Sequence, residues 1–445
     1  MRFTTLAQWL AFQEQLHPVG MDLTLERIAL VADRLGLRGA GRPPTVIVAG
    51  TNGKGTVATR TAALLQAQGL KVGLFTSPHL LRYNERIRID GEPVSDAALC
   101  RAFEAIDQAR GEDSLTYFEF GALAAVWLFR EQGVAVQVLE VGLGGRLDAV
   151  NIWDADVAAI TAVDLDHQTW LGDSREAIGR EKAGIMRPNR PVVLGEPEPP
   201  ASVLEHAAQL GAQVLRSGRD FALTRDATTL RWQWQGTARE WRVEGAAARI
   251  DGAALLNTAT ALAVVESLGL ARGLDDGVVS RALAISAPGR LQRVHGEPEW
   301  LLDVAHNVHA VNELARWLEA HPVPGAVVAL VAVMADKERA AMWSRLDGLV
   351  DAWVPVPLDL PRALPAAALA TELEASGQRR VSRVDDVAAA IAEARRCAGP
   401  CGRVVVFGSF YTVAAVLEQS QELAELALSG QAEALGGAGE VVHAL

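Results

Sequence analysis

Short apolar segments rich in β-branched residues alternate with helix-length segments along most of this chain, and no other feature constrains its fold as strongly. The first, TVIVAG at residues 45–50, leads into a glycine-rich turn and a helical segment that ends near Gly69. Strands that alternate with helices predict a largely parallel, doubly wound sheet. Further strands are predicted at KVGLF (71–75), VQVLEVG (136–142), VAAITAV (157–163) and PVVLG (191–195), with helices near 96–109, 119–132 and 174–185.

Two later regions break this alternation. Residues 220–250 alternate polar and apolar side chains between turn residues, which predicts a small antiparallel β element. Helical patterns follow at 253–268 and 275–286, and the run SAPGRLQR (286–293) indicates a linker. Strands separated by helix-length segments then resume, and they are predicted at LLDVAH, AVVALVAVM, DAWVPV, RRVSRV and RVVVFGSF.

These patterns predict an α/β protein of two domains, since 445 residues exceed what one hydrophobic core usually supports. The first would be a doubly wound, mostly parallel sheet of the P-loop type with the small antiparallel β element. The second would be a smaller C-terminal Rossmann-like α/β domain. We expect the N-terminal domain at residues 1–287, a linker at 288–297, the C-terminal domain at 298–425 and a tail at 426–445.

The net charge indicates which partners the protein can bind, and the cysteines indicate the cellular compartment. The formal net charge of −12 argues against a nucleic-acid-binding surface, which needs clustered Lys and Arg. Three cysteines, Cys100, Cys397 and Cys401, form no zinc spacing or disulfide framework, as in a reducing cytoplasm. No apolar stretch reaches transmembrane length, and the N-terminus lacks a signal-type apolar core. We therefore expect a cytoplasmic protein without a nucleic-acid or membrane partner.

The run Gly50-Thr-Asn-Gly-Lys-Gly-Thr56 lies between a predicted strand and a predicted helix. Glycines let such a loop curl so that its backbone N–H groups point at phosphate oxygens, Lys54 can reach the outer phosphates, and Thr56 can hold Mg²⁺. Gly55 separates the lysine from the threonine, which departs from the strict P-loop pattern. The alternative is a glycine-rich turn with an incidental lysine, and the strand–loop–helix context favours the phosphate loop.

Three further side chains follow predicted strands or lie on a predicted helix. Glu140 ends an apolar strand, at the edge where open α/β sheets bind ligands, and its oxygens suit Mg²⁺. His167 follows the next strand, and Lys182 lies among apolar neighbours on a helix. Each of the three, taken alone, could equally be a solvated or structural residue.

The combination of motifs resembles the folylpolyglutamate synthases, including the bifunctional dihydrofolate synthases, within the Mur-ligase superfamily. In the first domain the matching runs are GTNGKGT (50–56), TSPHL and YNERIRI (76–89), LTYFEF (115–120), LEVGLGGRLDAVN (139–151), DHQTWLG (166–172), GREKAGI (179–185) and LLN (255–257). Beyond it they are PGRLQ (288–292), DVAHN (303–307), DKE (336–338) and GSFYTVA (408–414). The family often has DGAHNP and DKD where this chain has DVAHNV and DKE, and both departures keep the functional residue types.

The resemblance implies a nucleotide site, two Mg²⁺ ions and a modified lysine. Thr56, Ser77 and Glu140 would hold one Mg²⁺. His167 and Lys182, which is carbamylated in the family, would hold the second. The residues expected to bind ATP are Asn52, Gly53, Lys54, Gly55, Thr56, Asn257, Arg290 and Asp303. The residues expected to be catalytic are Lys54, His167, Lys182, Asp303 and His306.

The resemblance also implies the substrates. Tetrahydrofolates and 7,8-dihydropteroate would each receive L-glutamate after ATP converts their carboxylate to an acyl phosphate. His306 and Ser409 would bind the glutamate. The positions that match the pterin site of the bifunctional enzymes are Met21, Asp22, Leu23, Thr116, Phe118, Arg146 and Asp148. The resemblance favours a monomer whose partners are these small molecules.

Three alternatives stay open at the level of sequence. A monofunctional folylpolyglutamate synthase would extend tetrahydrofolates only. A cell-wall Mur ligase would act on a nucleotide-linked muramyl peptide, and those enzymes usually carry a further domain ahead of the first strand. A switch that hydrolyses ATP without ligation would have no need of His167 and Lys182 as a second metal pair.

Overall fold

A computed structural model describes residues 2–20, 22–226, 228–244, 252–285 and 287–434, with side chains as far as Ala427. The chain divides into two compact units, Met1–Ile285 and Ser286–Leu445. Each unit has its own sheet and its own buried core.

The main sheet of the first unit has eight strands in its described part: β1 (Thr45–Ala49), β2 (Val72–Phe75), β3 (Ile87–Ile89), β4 (Glu92–Pro93), β5 (Val136–Glu140), β6 (Val157–Ile160), β7 (Pro191–Leu194) and β8 (Gln213–Arg216). Their order across the sheet is β4-β3-β2-β5-β1-β6-β7-β8. From β2 to β8 in this order all neighbours are parallel, whereas β3 and β4 add an antiparallel edge. The prediction of a doubly wound, mostly parallel sheet is confirmed.

Helices supply the crossovers that parallel strands require. Those of the first unit are α1 (Leu6–Leu16), α2 (Glu26–Arg34), α3 (Lys54–Gln66), α4 (Asp96–Arg110), α5 (Tyr117–Glu131), α6 (Gln168–Leu171), α7 (Arg175–Ala183), α8 (Ala201–Gln209), α9 (Gly252–Ser267) and α10 (Asp276–Ala284). The hydroxyls of Ser95, Thr116 and Ser174 cap α4, α5 and α7 by accepting a backbone N–H. Within the described residues, no helix is both long enough and apolar enough to cross a bilayer.

Alternate residues of β1 face opposite layers of helices. Val46 and Val48 belong to a buried cluster with residues of α3 and α9, whereas Ile47 and Ala49 belong to a second cluster with residues of α4 and α5. Successive side chains of a strand point to opposite faces of the sheet, and here both faces are covered, so the whole strand is buried. The loop that follows β1 therefore emerges between two packed layers.

A three-stranded antiparallel sheet, β9 (Phe221–Asp226), β10 (Thr229–Trp234) and β11 (Thr237–Arg242), accompanies the main sheet. Trp232 and Trp241 are buried in the cluster that contains α9, while Arg231 and Glu240 form an exposed ion pair on the other face. The predicted antiparallel element is confirmed over these strands. Residues 227 and 245–250 of that prediction lie outside the described residues.

The second unit is an α/β domain with a smaller sheet. Its strands in the described part are β12 (Gln292–Val294), β13 (Glu299–Leu302), β14 (Val327–Val331), β15 (Ala352–Pro355) and β16 (Arg403–Phe407), in the order β12-β13-β16-β14-β15. All pairings are parallel except that of β12 with β13. The helices are α11 (Val308–Ala320), α12 (Arg339–Leu346), α13 (Ala366–Ala375), α14 (Val387–Ala398), α15 (Phe410–Gln419) and α16 (Gln421–Ala434). The predicted Rossmann-like α/β class is confirmed.

One predicted strand of the second unit is wrong. RRVSRV (379–384) contributes a single bridge, between Val381 and Trp353. Arg380 takes a left-handed conformation, φ 53°, which interrupts the extended backbone, so pairing with β15 does not continue past this point. Conversely, β12 is a strand inside the segment predicted as a linker, where it extends the sheet by one antiparallel edge.

We expect Trp343→Ala to destabilise the second unit by about 3–5 kcal/mol, because it removes a fully buried ring and leaves a cavity. The ring packs edge-on against Trp353 at 5.5 Å, and its Nε1–H donates to Glu372 at 2.9 Å. Tyr411→Ala is the matched control, because that side chain is 57% exposed, and its cost should stay within about 0.5 kcal/mol. Urea unfolding measures both, and equal costs would contradict the packing described.

Candidate active site

The glycine-rich loop joins β1 to α3 at the edge of the sheet where the parallel strands end. Gly50 has φ 149°, and a Cβ there would lie 1.7 Å from the Thr161 hydroxyl oxygen, so this position requires glycine. Gly53 precedes α3 in a left-handed conformation, φ 90°. The Thr161 hydroxyl donates to the Asn52 carbonyl at 2.6 Å, which ties the loop to the end of β6. The loop thus lies at the positive end of the α3 dipole.

Two lysine amines meet at one backbone oxygen of this loop. Lys54 Nζ donates to the Gly50 carbonyl at 3.0 Å and to the Thr51 carbonyl at 3.2 Å. Lys182 Nζ, from α7, donates to the same Gly50 carbonyl at 3.0 Å. The fold therefore brings together two residues that lie far apart in the sequence and that the sequence predicted to be catalytic.

The surroundings of Lys182 favour its neutral amine. The residue is 3% exposed, and burial is the main cause that lowers its pKa. The positive charge of Lys54 lowers the pKa further, whereas the carboxylates of Asp166 and Asp148 raise it, and the resulting pKa is about 7. A lysine with this pKa is partly unprotonated at neutral pH, so its nitrogen can act as a nucleophile.

Glu140, Ser77 and the start of α3 lie close together at the sheet edge. Glu140 ends β5 and Ser77 closely follows β2, and these strands are parallel neighbours. The Ser77 N–H donates to one Glu140 carboxylate oxygen at 3.0 Å, and a Cβ on Gly55 would lie 3.5 Å from the other oxygen. Thr56 is the next residue of the helix. Together the three predicted ligands offer hydroxyl and carboxylate oxygens, which suit a hard cation such as Mg²⁺.

His167 lies in the loop between β6 and α6, in a left-handed conformation with φ 50°. Its side chain is 38% exposed, and its Nε2 lies 3.9 Å from the Asp166 carboxylate. Asp166, which the sequence did not single out, is also one of the carboxylates that act on the pKa of Lys182. Across the described part of the chain, no three His, Cys, Asp or Glu side chains form a group that could hold a metal. The expected ligand sets need no such group, because they also rest on hydroxyls and on a modified amine.

Asn257, on α9, reaches the phosphate loop from the side. A Cβ on Gly53 would lie 2.6 Å from the Asn257 Oδ1, so the amide and the loop backbone are in close contact. This contact brings the predicted nucleotide residues of the loop and Asn257 into one place.

The loop that follows β5 carries part of the predicted pterin site. Asp148 is buried, and its carboxylate accepts two backbone N–H groups of the same loop at 2.9 and 3.0 Å. Burial raises the pKa of Asp148 to about 6, although these amides and the charge of Lys54 oppose the rise. Phe118, on α5, lies against the same loop, since a Cβ on Gly142 would be 2.7 Å from its ring.

Asp22 and Thr116 are joined by two residues that the sequence did not single out. Arg27 donates to the Asp22 carboxylate and, through Nε, to Glu119 at 3.0 Å. Glu119 also accepts the N–H and the hydroxyl of Thr116 at 2.7 and 2.9 Å. The hydrogen bond from Arg27 is the main cause that lowers the pKa of Asp22. The spacing Thr116-x-x-Glu119 is a capping box at the start of α5, a sequence signal that identifies Glu119.

The other residues predicted for the pterin site have different surroundings. The Arg146 side chain is 53% exposed and forms an ion pair with Glu181 at 2.9 Å. Leu23 is half-buried. Met21 lies outside the described residues.

In the second unit, Asp303 follows β13 at the same sheet edge where Ser409 follows the neighbouring strand β16. The buried Asp303 carboxylate accepts the Leu291 N–H at 2.8 Å and the Ala305 N–H at 2.7 Å. Burial raises the pKa of Asp303, and the charge of Arg290 opposes that rise. Asp303 therefore fixes the turn between Arg290 and β12.

His306 and Ser409 begin the segments that follow these two strands. His306 Nδ1 lies 2.8 Å from the Val304 carbonyl, and the Ser409 hydroxyl caps α15 by accepting the Thr412 N–H at 3.0 Å. The Arg290 guanidinium lies over the ring of Phe410, 5.3 Å from its centroid. Arg290, Asp303 and the start of α15 are thus close together within this unit.

Comparison with known sequences points to one family. The family described as Mur ligase, glutamate ligase domain, matches residues 289–410. A dihydrofolate synthase/folylpolyglutamate synthase of Escherichia coli is 42% identical over 421 residues, which cover 93% of this chain and 95% of that protein. A folylpolyglutamate synthase of Lacticaseibacillus casei is 36% identical over 392 residues, which cover 83% of this chain and 88% of that protein.

Solved structures agree with the sequences. Escherichia coli FolC in complex with DHPP and ADP has a TM-score of 0.86 and 41% identity, covering 93% of this chain and 97% of that one. The bifunctional folylpolyglutamate synthase/dihydrofolate synthase of Yersinia pestis, complexed with AMPPNP and Mn ion, has a TM-score of 0.84 and 43% identity, covering 93% and 98%. On this identity over nearly its whole length, the chain belongs to the dihydrofolate synthase/folylpolyglutamate synthase family of ligases.

Proposed function

We propose that this chain joins L-glutamate to 7,8-dihydropteroate, forming dihydrofolate, and to tetrahydrofolates, forming polyglutamates, with ATP as co-substrate. The observation that carries the proposal is the meeting of Lys54 and Lys182 at the Gly50 carbonyl. A nucleotide switch needs a phosphate loop, but it has no need of a second buried amine beside that loop. We further propose that the enzyme works as a cytoplasmic monomer on small molecules alone.

Activation by ATP is necessary because a carboxylate offers an amine no competent leaving group. A carboxylate oxygen of the folate substrate attacks the γ-phosphorus of ATP, ADP leaves, and an acyl phosphate forms. The amine of glutamate then attacks the acyl carbon, gives up a proton, and displaces phosphate as the amide bond forms. Lys54, at the start of α3, is positioned to offset the negative charge of the transferring phosphoryl group.

The nucleotide site would combine the loop with Asn257. Support comes from the close contact between the Asn257 amide and Gly53 and from the half-buried surface of the loop, which leaves it accessible to a ligand. From the second unit we propose Arg290 and Asp303 for the nucleotide, and His306 and Ser409 for glutamate. The proposed loop residues are Asn52, Gly53, Lys54, Gly55 and Thr56.

For metal we propose two Mg²⁺ sites. The oxygen donors of Thr56, Ser77 and Glu140 fit the first, since the Ser77 backbone and Gly55 both adjoin the Glu140 carboxylate. His167 and carbamylated Lys182 would hold the second. Bound Mg²⁺ would supply positive charge to the phosphate oxygens.

The proposed carbamate on Lys182 follows from its surroundings. An unprotonated amine attacks CO₂, a nitrogen–carbon bond forms, and the loss of one proton leaves an anionic carbamate. The pKa of about 7 makes the unprotonated amine available at neutral pH. The product carries a negative charge next to Lys54, so two cations no longer face each other at the Gly50 carbonyl.

The folate site would lie on the α5 side of the sheet. The half-buried ring of Phe118 lies against Gly142 and offers a flat surface on which a pterin ring can stack. Asp22 and Asp148 offer carboxylates to the polar edge of that ring. The full set that we propose is Met21, Asp22, Leu23, Thr116, Phe118, Arg146 and Asp148.

Lys54→Ala should lower the kcat of both ligations by about 10²–10³, because a single nucleotide site serves both reactions. Lys71→Ala, which changes a lysine just before β2, is the matched control and should keep wild-type turnover. Products formed from ATP, Mg²⁺ and glutamate with either folate substrate are separated by mass. Near-wild-type turnover of Lys54→Ala would mean that this loop is not the ATP site, and a wild type that extends tetrahydrofolate alone would be monofunctional.

Labelling with ¹³C-bicarbonate should produce a carbamate resonance that Lys71→Ala keeps and Lys182→Arg loses, and the chain has only four lysines to assign. After CO₂ is stripped, activity should return faster at about pH 8 than at about pH 6, because the amine must lose its proton first and its pKa is about 7. Lys182→Ala should be inactive, with partial rescue by acetate. A carbamate resonance that persists in Lys182→Arg would place the modification elsewhere.

His306→Ala should raise the glutamate KM by about tenfold, equivalent to about 1.4 kcal/mol, while the ATP KM changes by less than about twofold. The expected reason is the loss of an imidazole that we place beside the glutamate. His309→Ala, on the first turn of α11, is the control and should change neither constant. A rise in the ATP KM with no change for glutamate would reverse the assignment.

A further inference from the structure

Arg60 is a buried arginine on α3 that pairs with no carboxylate among the residues that the structure describes. The residue is 4% exposed, and burial lowers its pKa to about 10. Among the described residues, none of the carboxylates forms an ion pair with it. A buried charge is costly unless hydrogen bonds or an opposite charge compensate for it. The groups to which Arg60 donates its hydrogen bonds therefore indicate what this residue does.

In the described part of the chain, the hydrogen bonds that the Arg60 side chain donates go to one turn of α9. Arg60 Nη1 donates to the Ala254 carbonyl and to the Thr258 hydroxyl oxygen. The Thr258 hydroxyl donates in turn to the Ala254 carbonyl at 2.7 Å. The guanidinium therefore holds the residues 254–258, which form a single helical turn.

Asn257 lies within that turn. Its side-chain amide is the group that closely approaches Gly53, on the phosphate loop at the start of α3. Arg60 and Gly53 belong to the same segment, and about two turns of helix separate them. Arg60 thus links α3, which begins at the phosphate loop, to the turn of α9 that contains Asn257.

Pairing of the two helices does not require this link. Apolar residues of both helices already pack in one buried cluster, among them Val57, Leu64 and Leu65 of α3 with Ala261, Leu262 and Val265 of α9. Most of these residues lie beyond Arg60 along α3. Ala254 and Leu255, on the turn itself, also pack against the cluster, and the hydrogen bonds from Arg60 add a polar contact to the same turn.

We propose that Arg60 is a positioning residue for the nucleoside triphosphate: by clamping the 254–258 turn against α3, it fixes the Asn257 amide over the phosphate loop. The inference rests on the proposed role of Asn257 in nucleotide binding. Arg60 itself does not contact the nucleotide, and its effect passes through Asn257.

A double-mutant cycle tests this connection. Arg60→Met and Asn257→Ala should each raise the ATP KM by about tenfold, with the dihydropteroate KM changed by less than about twofold. The double variant should be no worse than Asn257→Ala alone, because both changes remove the same contact. Arg60→Lys should restore most of the affinity, since an ammonium can donate to both acceptors. The dissociation constant of ADP with Mg²⁺, measured by calorimetry on the full chain, should follow the ATP KM.

Two further variants separate positioning from stability. Arg110→Met is the matched control, since Arg110 is a buried arginine of α4 that pairs with Asp107, and it should lower Tm without changing the ATP KM. Thr258→Val removes one of the two acceptors and should raise the ATP KM by a smaller factor than Arg60→Met.

Two outcomes would overturn the proposal: the effects of Arg60→Met and Asn257→Ala multiply in the double variant, or Arg60→Met lowers Tm and leaves the ATP KM unchanged. If the wild type ligates and Asn257→Ala leaves ATP use unchanged, the role of Asn257 fails and the inference fails with it; a wild type without ligation would instead refute the proposed function.

Discussion

The carbonyl oxygen of Gly50 accepts a hydrogen bond from each of two lysines, and these lysines come from two different helices of the first unit. Lys54 arrives from the helix that follows the loop, and Lys182 arrives from α7, which follows β6 in the chain. Two ammonium groups that share one acceptor repel each other, and burial together with the charge of Lys54 lowers the pKa of Lys182 to about 7. The shared acceptor belongs to a glycine after β1 whose positive φ any other residue would adopt only with strain.

The two faces of β1 pack against helices that carry different sets of proposed site residues. The face of β1 that carries Val46 and Val48 packs on α3 and α9, which carry the loop and Asn257. The face that carries Ile47 and Ala49 packs on α4 and α5, and α5 carries Phe118 and the capping box of Thr116. Period-two alternation along five buried residues therefore places the residues that we propose for the nucleotide and for the folate on helices at opposite sides of one sheet.

How far the sequence predicts this arrangement depends on the kind of signal. Strand ends were predictable from apolar runs, and with them the position of Glu140 at the sheet edge. Only the family resemblance joined Ser77 to Glu140, and the structure brings the two together because their strands are parallel neighbours. The role of Arg27 was not predictable from the sequence. It joins Asp22 to Glu119 through a tertiary contact between segments far apart in the chain, and no local sequence pattern relates them. Arg60 gave no signal either, since an arginine on an amphipathic helix usually reaches solvent. The strand predicted at RRVSRV was wrong for a local reason. Alternating β-branched residues do not reveal that Arg380 adopts a left-handed backbone conformation.

The buried Lys182 also bears on which substitutions this chain can accumulate. Only four of its 42 basic residues are lysines, so arginine is the cation it uses almost everywhere. Exchange between lysine and arginine is harmless wherever a side chain only supplies positive charge to water. At Lys182 we expect the exchange to be harmful, because a guanidinium keeps its proton at physiological pH and cannot supply the unprotonated amine that the proposed carbamate needs. We therefore expect arginine to be excluded from this one position, although it supplies most of the positive charge elsewhere in the chain.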